Sequence, residues 1–110
     1  MIEINERLTL PEMERILYGN ETVRVSEKLR SQVVASYDFL KEFSKDKVIY
    51  GINTGFGPMA QWRIEDAHLK ELQYNIIRSH STGAGDRIPD ICVRAAMLSR
   101  LMTFLEGHSG

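Results

Sequence analysis

Eight consecutive residues near the middle of the chain, Tyr50-Gly51-Ile52-Asn53-Thr54-Gly55-Phe56-Gly57, limit what it can fold into more than any other stretch. Glycine reaches backbone angles that a Cβ forbids, so the segment reads as a sharply bent loop able to bring main chain close to a ligand. Gly51 and Gly55 are its hinge positions, and Tyr50 stands where the chain enters it. A phenol there can donate or accept a hydrogen bond. With an ordinary pKa of about 10, it acts as a base only where its surroundings stabilise the phenolate.

The rest of the chain is patterned mainly as helix. Ile2, Ile4 and Leu8 alternate with polar residues, as in a short edge strand or an arm laid over another surface. Thr9 with Glu12 forms a capping-box pattern, Pro11 suits a first turn, and Gly19-Asn20 closes that helix. Ser26 is the N-cap of a second helix, whose apolar positions Leu29, Val33, Tyr37 and Leu40, with Phe43 nearby, follow the helical period. Val48-Ile49-Tyr50 reads as a short β segment feeding the glycine loop.

Helical spacing resumes from Ile64 to His80 through Leu69, Leu72 or Gln73, Ile76 and His80, with Asp66 near the start and Gly83 as the stop. Pro89 opens a last helix through Met97, Leu101, Phe104 and Leu105, stopped at Gly107. The expected fold class is therefore mainly α: about four helices with short β pieces around residues 2–4 and 48–50. No linker or repeat divides the chain, so residues 1–110 read as a single module. Its C-terminus carries no signal of a finished domain and reads as cut.

Composition narrows the function classes. The 110 residues hold 14 basic and 15 acidic side chains, a net charge of -1, which offers no basic stripe to a phosphate backbone. Nucleic acid is not an expected partner. No apolar run approaches bilayer length and no leader pattern opens the sequence, so the chain reads as cytoplasmic, without a membrane partner. Cys92 is the one cysteine and falls in a helical pattern, where a buried, inert thiol is expected. His68 and His108 read as surface residues with no metal-ligand spacing, and no metal is expected. Trp62 and Phe56 read as packing anchors for the loop.

The order Tyr-Gly-Ile-Asn-Thr-Gly-Phe-Gly at 50–57 resembles the N-terminal signature of the histidine and aromatic amino acid ammonia-lyases. Leu72-Gln73-Tyr74-Asn75-Ile76-Ile77-Arg78-Ser79-His80-Ser81-Thr82-Gly83-Ala84-Gly85 resembles that family's helix carrying a substrate-pocket histidine before a Gly-x-Gly turn, and Arg100 to Gly110 is a weaker third match. The resemblance implies the N-terminal helical segment of the all-α ammonia-lyase/aspartase-like fold. It assigns Tyr50 as the catalytic base that removes the β-proton of an amino acid. Substrate contact is implied at His80, Ser79, Asn53 and Gly57, and the Ser79-His80 pair is similar to that of histidine-type enzymes and of some aminomutases.

The same resemblance implies a homotetramer and a prosthetic electrophile, 4-methylidene-imidazole-5-one, formed by cyclisation of an internal Ala-Ser-Gly. This chain has no such triplet: Ala35-Ser36 precedes Tyr37, and Ser109-Gly110 follows His108. Such a group, like the remainder of the enzyme chain, would be supplied from elsewhere. Met102 stands where the family often has asparagine. Other readings are a tyrosine or phenylalanine ammonia-lyase or aminomutase, a non-catalytic binding or scaffold module, and a dinucleotide-binding module. The last rests on Gly55-Phe56-Gly57-Pro58-Met59-Ala60, a loose Gly-x-Gly-x-x-Ala pattern in which Pro58 lacks one N–H a pyrophosphate would use.

Overall fold

The computed structural model describes residues 1–108. In chain order the elements are β1 (Ile2–Ile4), α1 (Leu10–Gly19), β2 (Val23–Val25), α2 (Glu27–Phe43), α3 (Leu69–His80) and α4 (Asp90–Leu105), with single 3-10 turns at Gly57–Met59 and Asp66–His68. The fold is mainly α, as the periodicity implies. The chain divides into two compact units, one of Met1–Leu40 with Arg87–Gly110 and one of Lys41–Asp86.

The first unit is built on a parallel strand pair. Ile2 lies opposite Val23, Glu3 opposite Arg24 and Ile4 opposite Val25. Parallel neighbours cannot be joined by a tight turn, and α1 makes the return. Its start is fixed locally: the Glu12 carboxylate accepts the Thr9 N–H at 2.8 Å and the Thr9 hydroxyl at 2.7 Å. Its end is fixed by Asn20, which takes the left-handed conformation at φ 53. Arg94 of α4 then donates to the Ile16 carbonyl at 3.1 Å and to Asn20 Oδ1 at 3.0 Å, closing the end of α1 from outside.

Strand alternation puts Ile2 and Ile4 on one face and Glu3 on the other. Ile2 packs with Ile16 and Leu98, and Ile4 packs with Leu29 and Leu105. Leu98 and Leu105 are seven residues apart, about two helical turns, so one face of α4 covers both clusters. Met102 joins the Ile4 cluster as a half-buried apolar side chain. Gln32 Nε2 donates to the Glu106 carbonyl at 2.9 Å and ties α2 to the end of α4.

Several expectations are corrected. Residues 48–50 form no strand, and the second strand is Val23–Val25 instead. The N–H and C=O groups around Ile49 are used inside the loop, which leaves them nothing to offer a sheet. Leu98 rather than Met97 faces the core, while Pro89 does open α4, as its N-cap. The chain stops being helical at His80, before Gly83. Leu69, Leu72 and Ile76 do form a half-buried stripe, but no residue of α3 is buried and His80 is exposed. Tyr37 and Cys92 are also exposed.

Ile4 is 1% exposed between two helices. Ile4→Ala should lower the unfolding free energy by about 2–5 kcal/mol in urea titration. A change below about 0.5 kcal/mol, the size ordinary surface substitutions give, would remove Ile4 from the centre of the core.

Acid stability follows from two carboxylates. The Thr9 hydroxyl and N–H hold Glu12 below the ordinary glutamate range, and the Arg15 guanidinium, helped by the terminal ammonium, does the same for Glu21. A carboxylate with a lowered folded pKa contributes its full stabilisation above the unfolded value of about 4.3, and loses it as pH falls through the folded value. The melting temperature should therefore drop on acidification below that range, and less steeply in Glu12→Gln/Glu21→Gln. Identical pH slopes for the two proteins would contradict this assignment.

Candidate active site

Between α2 and the turn at Asp66–His68 the chain has almost no regular structure, so its backbone groups need other partners. Asn53 supplies three of them. Its side-chain amide donates to the Ser44 carbonyl at 3.1 Å and the Lys47 carbonyl at 2.7 Å, while Oδ1 accepts the Ile49 N–H at 2.8 Å. The Ile49 carbonyl in turn accepts the N–H groups of Ile52 and Asn53. Thr54, fully buried, donates to the Gly55 carbonyl at 2.8 Å and accepts the Gly51 N–H at 3.3 Å.

The far side of the loop closes by main chain. Gly55 N–H donates to Trp62 O at 3.2 Å, Ile64 N–H donates to Asn53 O at 2.9 Å, and Thr54 pairs with Arg63 in an antiparallel bridge. Two glycines have specific reasons. A Cβ at Gly55 would lie 2.6 Å from Met59 Cβ and 2.7 Å from its carbonyl oxygen, so main chain passes main chain where no side chain fits. Gly51 adopts φ 78, in the left-handed region.

Tyr50 rides on this framework with its side chain exposed, and its ring meets Phe56 edge-on, 5.7 Å between centroids at 73°. Gln73 Nε2 donates to the Gly51 carbonyl at 3.4 Å, joining α3 to the residue after Tyr50. His80 follows Gln73 by seven residues, on the same side of α3 and about 10.5 Å along it. Its Nδ1 lies 2.8 Å from the Ile76 carbonyl. A carbonyl only accepts, so this nitrogen carries the proton and Nε2 of the neutral ring is left as an acceptor. The Ser79 hydroxyl donates to the same carbonyl at 3.0 Å and lies 3.1 Å from Nδ1.

The expected site residues thus fall into two groups. Ser79 and His80 form one cluster and Tyr50 with Phe56 another, and no hydrogen bond or ring contact among the described residues joins Tyr50 to His80. Gly57, at φ 54, has open space where a side chain would be. Asn53, an expected substrate contact, has its side chain 2% exposed and both its N–H groups used within the loop. Trp62 anchors through its main chain, its indole being 60% exposed.

Thr54 and Gln73 are contributors that sequence reasoning passed over. The Asn-Thr pair carried a signal, since both types bond to nearby backbone in turns. Among the described residues no group of three or more His, Cys, Asp or Glu could hold a metal ion, and no helix is long and apolar enough to cross a membrane. The dinucleotide reading fails on geometry: its glycines follow no strand and lead into a single 3-10 turn, not an α-helix.

This glycine loop, latched by asparagine and followed by a helix ending in Ser-His, occurs in a chain whose residues 8–110 match the family model for aromatic amino acid lyase. The chain belongs to that family. It is 40% identical over 104 residues to histidine ammonia-lyase of Geobacillus sp. (strain WCH70), covering 94% of this chain and 20% of the relative. Phenylalanine aminomutase of Pantoea agglomerans superposes with a TM-score of 0.84 at 30% identity, over 96% of this chain and 21% of that one. Tyrosine aminomutase of Streptomyces globisporus gives 0.83 at 29% identity, over 96% and 20%. The chain spans about a fifth of the length of these relatives.

The close approach at Gly55 yields a test. Gly55→Ala should open the loop, and limited proteolysis between residues 50 and 64 should accelerate well beyond that of Gly57→Ala, which meets no atom and bears only the left-handed cost of about 1–2 kcal/mol. Equal cleavage rates for the two variants would contradict the contact.

Proposed function

We propose that this chain is the N-terminal module of a longer ammonia-lyase, contributing the general base and part of the substrate pocket for elimination of ammonia from L-histidine or a related aromatic amino acid. The observation that carries the reading is the loop itself: its Tyr-Gly-Ile-Asn-Thr-Gly-Phe-Gly sequence is folded so that Tyr50 is exposed on a locked framework, in a chain 40% identical to a histidine ammonia-lyase. Cytoplasmic location and a homotetrameric full-length enzyme belong to the same proposal.

The β C–H of an amino acid is weakly acidic, so its removal needs an electrophile acting elsewhere on the substrate and a base that, exposed in this chain, is desolvated once substrate and the rest of the enzyme cover it. Tyr50, as phenolate, takes the β-proton, giving an α,β-unsaturated acid such as urocanate once ammonia leaves. His80 orients the side chain: with Nδ1 committed to the Ile76 carbonyl, Nε2 is free to accept from an imidazole N–H. Ser79 holds that ring in place, and the open space at Gly57 admits substrate to main chain. The electrophile implied is 4-methylidene-imidazole-5-one. The residues present do not fit its formation, because they contain no Ala-Ser-Gly, and it would come from sequence outside these 110 residues.

A second reading, the aminomutase outcome in which the amino group migrates instead of leaving, is favoured by the superposition on tyrosine and phenylalanine aminomutases. Product analysis separates them: an unsaturated acid marks elimination and a β-amino acid marks migration.

The isolated 110-residue chain should give no product from histidine, tyrosine or phenylalanine, and turnover by the pure chain would refute the proposal. In the full-length protein Tyr50→Phe should lower kcat by about 10²–10⁴-fold with KM little changed, because the phenol acts in the transition state. A variant with near-normal kcat would remove Tyr50 from the base role.

A further inference from the structure

We propose that Asn53 is a positioning residue for the base: its carboxamide fixes where Tyr50 is presented, without touching substrate. The inference rests on the assignment of Tyr50 above. Tyr50 lies between Ile49, whose N–H Asn53 accepts, and Gly51, whose N–H Thr54 accepts. The residues immediately before and after the phenol are thus both gripped by the buried Asn53-Thr54 pair. The same carboxamide holds the Ser44 and Lys47 carbonyls, which fixes the approach from α2.

The contacts use Asn53 nearly to capacity, with both N–H groups donated and one lone pair of Oδ1 engaged. No other residue type of this size meets the pattern. Aspartate keeps the acceptor but turns an oxygen toward two carbonyl oxygens. Alanine takes away the partners of the Ile49 N–H and the Lys47 carbonyl and leaves the Ser44 carbonyl only the Lys47 N–H at 3.3 Å, on a segment with no helix or strand to absorb them. Among the described residues the Tyr50 ring makes an edge contact with Phe56, and its position otherwise follows the backbone that Asn53 holds.

The test uses Asn53→Ala and the isosteric Asn53→Asp in the full-length protein, with Tyr50→Phe as control. A phenol displaced by about 1 Å should cost about 100-fold in kcat, while KM stays within about threefold. In the 110-residue chain, the nuclear Overhauser contact between the Tyr50 and Phe56 rings should be present in the wild type and lost in both variants. Unchanged kcat, or a rise in KM at constant kcat as for a substrate contact, would overturn the proposal while a disabled Tyr50→Phe left the base assignment standing. If Tyr50→Phe itself keeps its kcat, the base assignment fails and the positioning role falls with it. One measurement needs no variant: slow exchange of the Asn53 side-chain amide protons in the wild-type chain supports the latch, and exchange at the rate of an exposed amide overturns it.

Discussion

From the end of α2 to the turn at Asp66–His68, the chain must satisfy its backbone hydrogen bonds with almost no helix or strand, and the second unit depends on how that is done. Main-chain bonds within the loop provide part of the answer, and one carboxamide ties its entry together. Asn53 replaces three partners that regular structure would have supplied, each at 2.7 to 3.1 Å and shielded from water. An unmet buried backbone group costs about 1–3 kcal/mol, comparable to much of what a small unit has to spare. The glycines let the chain take this course; the asparagine makes it the stable one.

The first unit solves a different problem. Three-residue strands pair too briefly to stand alone, so their stability comes from what they bury. Ile2 and Ile4 point to one face and each anchors its own cluster, while Leu98 and Leu105 cover both from a single helix. Polar ties at the margins, Arg94 on the end of α1 and Gln32 on the end of α4, hold the helices in register with that strand pair. Surface ion pairs such as Arg24 with Glu3, at 3.9 Å and well exposed, add little.

Local signals were legible in the sequence and long-range ones were not. The Thr9-Glu12 cap and the Ser26 start need only neighbours within three residues, and both stand as read. Val23–Val25 escaped notice because a three-residue strand is recognisable only once its partner, some twenty residues away, is known. Val48-Ile49-Tyr50 has the composition of a strand, but Asn53, four residues on, captures the Ile49 N–H that a ladder would have needed. In α4 the apolar residues surround much of the helix, so periodicity alone allowed Met97 where packing chose Leu98. For the site, Tyr50 and His80 were named by resemblance. The burial of the Asn53 side chain, by contrast, is something no motif records.

The account's central claim is that the Tyr50 loop is a folded unit held by its own polar contacts. Amide hydrogen exchange on the 110-residue chain, resolved by residue, tests this most directly. The N–H groups of Ile49, Asn53, Gly55 and Ile64, each donated within the loop, should be protected and should exchange together, as a cooperatively opening unit does. Exchange of these four at the rate of an unstructured peptide, while the amides of α1 and α2 stay protected, would contradict it.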